Sequence, residues 1–298
     1  MLNCGGGINL DELFELEKLS KVTLYVIDSH RPYHPENVAN KQQILLFDDG
    51  VVYDESEEVN DDLMNTNAAY YGSTVAGLTY ALASQLNKAN NELLWYALVG
   101  LTDQFLHQKI DEERYINDVV HFKTEVLNRN IQDDEASTEQ LDQHRILVSE
   151  EYKFFLYRHW NLYDSMYHSK YVAVRLGVWQ SNGRRRLEML LAKMGVPLEQ
   201  CRMSYLTMNK TFKDQLHLKL TEHGKDFHLD QLTYPSFIKK QHCDMVVSAA
   251  DTVWAVTALL DLPVHQDLSN DADLAAAASH YYEQVKRNFW VAYDALSR

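Results

Sequence analysis

The sequence has 298 residues, 46% of them hydrophobic and 24% charged, a globular composition with interior enough for one large or two ordinary domains. A formal charge of −15, from 28 basic and 43 acidic residues, argues against a broad basic face for nucleic acid and favours a protein as the large partner. No apolar run reaches a membrane span and no secretory leader is expected, while three scattered cysteines, Cys4, Cys201 and Cys243, fit a reducing compartment better than a disulfide framework or zinc cluster.

In chain order, Gly5-Gly6-Gly7 precedes an amphipathic segment at 8–19 that carries Leu10, Leu13, Phe14 and Leu16. Backbone amides of a glycine run can cradle phosphate. This run lacks the Lys-Ser/Thr of a P-loop and the spacing of a dinucleotide fold, so a tight strand-to-helix turn is the simpler expectation. Val22, Leu24, Tyr25, Val26 and Ile27 read as a buried strand. Asp28 and His30 fall where that strand gives out, and Pro32 blocks its return. Side chains two apart share a face, and polar groups at strand carboxyl ends line the crevice of open α/β sheets. Asp28-Ser29-His30 is therefore either a metal or phosphate site, or an Asp that caps its turn beside a hydrogen-bonded His. Residues 43–47 form a second strand that ends on Asp48-Asp49-Gly50, a turn suited to a hairpin into 51–53. The stretch 54–62 holds six carboxylates and no base, the composition of a solvated loop.

Beyond it the pattern is helical. Val75, Leu78, Leu82 and Leu86 recur at helical spacing. An apolar helix over 93–99 is expected to break at Gly100-Leu101-Thr102-Asp103, with Asp103 either an N-cap or a site residue at the junction. The polar stretch 128–143 is the best domain boundary. Residues 147–163 and 167–179 are dense in aromatics. Asn182-Gly183 opens a helix striped by Leu187, Leu190, Leu191 and Met194, and Gly195 with Pro197 stops it. Arg184, Arg185 and Arg186 in its first turn oppose the macrodipole, which suits an anionic partner as well as a solvated face. Further helices are expected over 212–220, 248–260 and 274–296.

Several of these segments resemble the cell division control protein 45 family, over nearly the whole chain and in the same order. They are Leu2-Asn3-Cys4-Gly5-Gly6-Gly7, Val26-Ile27-Asp28-Ser29-His30-Arg31-Pro32 and Val99-Gly100-Leu101-Thr102-Asp103-Gln104. Tyr157-Arg158-His159-Trp160-Asn161-Leu162-Tyr163-Asp164-Ser165 and the run from Arg186-Leu187 to Met194-Gly195-Val196-Pro197-Leu198 belong with them. Asn288-Phe289-Trp290 with Ala292-Tyr293-Asp294-Ala295-Leu296 resembles the fungal branch. The resemblance implies an α/β domain followed by an all-α one: a truncated DHH-like, Rossmann-type phosphoesterase relative over 1–135 and a helical interaction domain over 136–298. It also implies that Asn3 stands where active relatives place a metal-binding Asp, that Asp28-Ser29-His30 stands for Asp-His-His, and that Asp103 is a retained motif Asp. An upstream Asp-rich motif and a carboxy-terminal substrate-gripping domain of that superfamily are expected beyond the two ends.

The functional expectation is a non-catalytic nuclear replication factor that joins the minichromosome maintenance ring and the GINS complex in the replicative helicase. It needs no cofactor, metal or small-molecule substrate. Aromatic density nominates Arg158, Trp160, Tyr163 and Tyr167 for partner binding. One rival is a metal-dependent phosphoesterase using Asp28, His30 and Asp103, which three ligands support poorly. Another is a weak single-stranded DNA contact at Arg184–Arg186, with Trp160 or Trp179 as a stacking platform.

Overall fold

A computed structural model describes residues 1–19, 21–50, 69–136, 145–240, 246–262 and 274–297. The expected hairpin partner at 51–53, the acidic stretch 54–62 and Cys243 lie outside them. Two compact units emerge, Met1–Leu147 with Ile238–Ala249, and Val148–Phe237 with Ala250–Arg298. The division falls later than the polar stretch suggests, and the first unit regains a segment after the second has begun.

In the first unit Leu2 bridges Ile27 in parallel, and the Asn3 N–H donates to the Ile27 carbonyl at 2.8 Å. The glycine turn then leads into α1 (Leu10–Phe14), N-capped by the Asn9 side chain. The helix expected over 8–19 is split here: Glu15 turns left-handed at φ 48° and a 3-10 turn covers Leu16–Lys18. The split lets Leu10 and Leu16 both bury against Val26 and Ile44.

Strand β1 (Leu24–Val26) is followed by β2 (His30–Arg31), α2 (Pro35–Ala39) and β3 (Ile44–Leu46). β1 and β3 pair in parallel, Leu24 with Ile44 through Val26 with Leu46, as a crossover through α2 allows. β2 pairs antiparallel with β4 (Tyr70–Tyr71) and sets His30 opposite Tyr71.

Three helices follow, α3 (Val75–Gln85), α4 (Asn91–Leu106) and α5 (Glu112–Ala136), with α4 packed on both neighbours. The break expected at Gly100 does not occur. A Cβ at Gly100 would lie 2.9 Å from the Ala76 Cβ, so this glycine brings α3 and α4 close rather than ending a helix. The Thr102 hydroxyl donates to the Leu98 carbonyl inside the same helix. Asp103 is therefore a last-turn residue of α4, not an N-cap.

The all-helical expectation for 136–298 also needs correction. β5 (Ile146–Tyr152), β6 (Thr233–Lys240) and β7 (Val246–Ser248) form a three-stranded sheet in that order, with Ile238 opposite Ser248. The polar and proline content of β6, Thr-Tyr-Pro-Ser-Phe-Ile-Lys-Lys, hides a strand whose Tyr234, Ser236, Phe237 and Lys239 are all buried.

The second unit carries α6 (Leu162–Tyr167), α7 (Lys170–Leu176), α8 (Ser181–Lys193), α9 (Leu198–Arg202), α10 (Lys210–Gly224), α11 (Ala249–Leu260) and α12 (Leu274–Ser297). Its core joins Leu162 and Met166 to Leu176 and the Leu187-Leu190-Leu191 stripe, all essentially sealed from solvent. α7 ends on Gly177 at φ 64°, and α8 is seated directly on that turn. A Cβ at Gly183 would meet the Gly177 carbonyl oxygen at 2.0 Å.

Candidate functional site

The candidate residues gather in two clefts, one in each unit. In the first unit, Asp28 leaves the end of β1 and is 1% exposed. Its Oδ2 accepts the Gly6 N–H at 2.8 Å; its Oδ1 accepts the His30 N–H at 3.1 Å and lies 2.7 Å from His30 Nδ1. Burial pushes the carboxyl pKa up, but the His30 and Gly6 hydrogen bonds outweigh it and hold the group below its ordinary value. Glycine is needed at the donor: a Cβ on Gly6 would fall 2.8 Å from the Tyr33 ring and 3.0 Å from Asp28 Oδ2.

Arg31 braces the same turn. Its Nη1 donates to the Asp28 carbonyl at 2.7 Å and its Nη2 to Asp49 Oδ1 at 3.0 Å, with both side chains 4% exposed. Burial raises the Asp49 pKa, but the Ser73 hydrogen bonds and the Arg31 charge override it and bring the pKa down to about 2.

A cleft of about 210 Å³ opens beside this turn, and Asn3, Ser29, His30 and Asp103 all line it. The Ser29 hydroxyl donates to Asn3 Oδ1 at 2.7 Å. Asp103 Oδ1 lies 3.0 Å from His107 Nδ1, and its Oδ2 accepts from Lys109 Nζ at 2.8 Å.

Lys109, absent from the sequence expectations, is aimed by the end of α4. Gln108 turns left-handed at φ 57°, and the Lys109 N–H returns to the Gln104 carbonyl at 2.8 Å, a Schellman-type closure. Its signal in the sequence is a cation just past a helix that carries an acid in its last turn.

A two-metal hydrolytic site needs carboxylates whose lone pairs are free to bridge ions roughly 3.5–4 Å apart. Asp28 is buried and committed to three donors. Both Asp103 oxygens face protein nitrogens, and Asn3 and Ser29 engage each other. Among the described residues no group of three or more His, Cys, Asp or Glu is placed to hold a metal ion. The residues present do not fit the metal pair of a phosphoesterase.

In the second unit a cleft of about 380 Å³ is lined by Asn161, Tyr163, Asp164, Tyr167, His168, Arg184 and Arg202. Asn161 caps α6 by accepting the Asp164 N–H at 2.7 Å. One turn apart on that helix, the Tyr163 and Tyr167 rings stack at 6.3 Å and 10°. The Arg202 guanidinium lies 4.9 Å from the Tyr163 ring centre and that of Arg184 5.3 Å from Tyr167, whose hydroxyl accepts from Arg184 Nη2 at 3.0 Å. Trp160, 43% exposed, extends this surface through His168 at 5.6 Å.

Two of the four expected partner residues, Tyr163 and Tyr167, thus share a cleft with one of the expected arginines, Arg184, and Trp160 lies beside it. Arg185 and Arg186 are exposed but do not line the cleft, and Arg202 joins it from a distant stretch of sequence. Arg158 differs from its expectation. Its fork donates to both Glu151 oxygens at 2.8 and 2.9 Å and to Asp251 Oδ2 at 3.2 Å, an internal brace.

Comparison with known proteins gives this architecture a class. It is similar to the crystal structure of CDC45 from Entamoeba histolytica, with a TM-score of 0.73 and 29% identity over 99% of this chain and 53% of that one. Two cell division control protein 45 homologs match in sequence. The Dictyostelium discoideum protein is 31% identical over 88% of this chain and 58% of its own length; the human protein is 26% identical over 94% and 58%. These are cell division control proteins, and the chain spans little more than half the length of each. The CDC45 family model itself matches residues 1–70 and 63–298, and the chain belongs to that family.

Proposed function

We propose that the chain acts as a non-catalytic DNA replication factor in the nucleus, a scaffold that joins the minichromosome maintenance ring and GINS in the replicative helicase. Its first unit is read as a degenerate DHH-type phosphoesterase domain, its second as a partner-binding unit. The observation that carries this reading is the internal commitment of the acids in and beside the first cleft: buried Asp28 to Gly6 and His30, and Asp103, which lines it, to His107 and Lys109. With Asp28 buried among its donors and Asp103 facing an ammonium, these acids lack the open lone pairs that a two-ion clamp draws on. The partner surface rests on Trp160, Tyr163 and Tyr167, because half-exposed aromatics beside arginine are the usual anchors of protein interfaces.

The test pairs two assays. Purified minichromosome maintenance ring and GINS should co-elute with the chain, and Trp160→Ala with Tyr167→Ala should weaken that association while the folded state persists. Exonuclease activity on short single strands with manganese should stay at background. Turnover that disappears in an Asp28→Ala, Asp103→Ala double variant would overturn the reading in favour of a phosphoesterase. A weak contact with single-stranded DNA is a second reading, favoured by the Tyr163–Tyr167 stack between Arg184 and Arg202. It predicts loss of binding as salt rises and on replacement of Arg184.

A further inference from the structure

We propose that the Lys109 ammonium is a tethered substitute for a divalent cation: it meets the Asp103 carboxylate at Oδ2 and so keeps the first cleft in shape with a charge drawn from the chain itself. Three independent features converge on this ammonium. Asp103 sits in the last turn of α4, where the negative end of the helix dipole makes an anion unfavourable unless a cation is beside it. Lys109 Nζ supplies that cation at 2.8 Å. The Tyr71 ring, delivered by β4, lies 5.9 Å from the same nitrogen and offers its negative face. The backbone supports the arrangement at a cost, since Gln108 holds a left-handed conformation that disfavours any residue with a Cβ. With glycine in that place the turn would form as easily; the strain has bearing only on where the next residue goes.

An ammonium and a metal ion compensate charge alike but differ in chemistry. The ammonium has one charge, three donors and no open coordination position, so it neither lowers the pKa of a bound water nor polarises a phosphoryl oxygen. Lys109 would thus preserve the electrostatic balance of the cleft while occupying the position beside Asp103 Oδ2. This inference concerns Asp103 and Lys109 only and stands whatever partner the second unit binds.

The test uses the full chain and manganese chloride as the probe, read by thermal unfolding and by the manganese paramagnetic resonance signal. The unaltered chain should show no saturable manganese binding at millimolar concentration. Lys109→Met should melt about 3 °C lower, and millimolar manganese should restore part of that loss and give a bound-ion signal. Lys109→Arg should melt like the unaltered chain and ignore manganese. Adding Asp103→Asn to Lys109→Met should abolish the manganese response and recover stability, because the anion that needed a cation is gone. If Lys109→Met fails to fold, recovery of folding in the double variant supports the proposal equally, and failure of both overturns it. Manganese bound by the unaltered chain as tightly as by Lys109→Met, or a folded Lys109→Met chain with no manganese response whatever its stability, would also overturn it.

Discussion

The two clefts are built from similar polar groups but hold their cations differently. In the first, donors and acceptors face each other: Asp28 with Gly6 and His30, Arg31 with Asp49, Asp103 with Lys109. In the second, Arg184 and Arg202 lie against tyrosine rings. A stacked guanidinium uses its face and keeps most of its N–H edge for something else. The contact of Arg202 with Glu188, at 3.8 Å, is too long to claim that edge. Arg184, by contrast, spends Nη2 on the Tyr167 hydroxyl at 3.0 Å, so the two arginines of this cleft are held differently.

Substitutions should separate these two behaviours by size. The largest loss is expected where the second unit itself adopts the inward style, at Arg158. Replacing it with Ala removes the guanidinium shared by Glu151 and Asp251, whose side chains are 3% and 8% exposed. Breaking such a buried pair from one side costs about 4 kcal/mol, and the urea midpoint should fall accordingly. An unchanged midpoint would place Arg158 with the ligand-facing arginines.

Gly183→Ala comes next. Its Cβ would collide with the Gly177 carbonyl, a backbone atom that cannot rotate away, so α8 must shift at a cost of about 3 kcal/mol. Because α8 carries Arg184, the same variant should also disturb the second cleft, seen as a changed fluorescence of Trp160 or Trp179. A shift in stability with no spectral change would detach the cleft from the seating of α8.

Acid should affect the first unit through Asp49. Its folded pKa lies below its unfolded one, so its stabilisation is complete above about pH 4 and is lost as pH falls toward 2. The loss amounts to about 2 kcal/mol and should vanish in Asp49→Asn. The same dependence in that variant would assign the acid sensitivity to other carboxylates.

The smallest stability effects are expected in the second cleft. Arg202→Ala should change stability by less than about 1 kcal/mol, as an exposed substitution does, and Tyr167→Ala, partly packed on the core, by somewhat more, while partner association falls by tenfold or more in each. Large destabilisation with intact association would move these residues to the structural side of the comparison.

How far the sequence discloses this design differs from element to element. The strands at 24–26 and 44–46 and the helix at 181–193 are legible because burial imposes period-two runs or a leucine stripe. That Asn3, Ser29, His30 and Asp103 share one cleft follows from the family resemblance, since no spacing rule links residues 3 and 103. Gly100 misleads because glycine marks both a helix end and a close helix contact, and only Ala76 on the facing helix decides between them. β6 is obscured by Pro235 and by buried Ser236 and Lys239, the latter set 5.9 Å from the Trp95 ring far away in sequence. Lys109 and Arg202 escape for a related reason: what each does depends on a group, Tyr71 or Tyr163, far away in sequence.

The return of residues 238–249 to the first unit bears on how the chain is made. A ribosome that has finished residue 147 has not yet supplied the end of β6 or any of β7, and must first synthesise all of Val148–Phe237. At about 5–20 residues per second that interval lasts about 5–20 s. Throughout it the nascent first unit lacks the segment 238–249, and with it the end of β6 and its antiparallel partner β7. Complete folding of the amino-terminal unit is thereby tied to late synthesis, and a nascent chain arrested before residue 238 should be held by chaperones or cleaved by protease where one released after residue 249 is not.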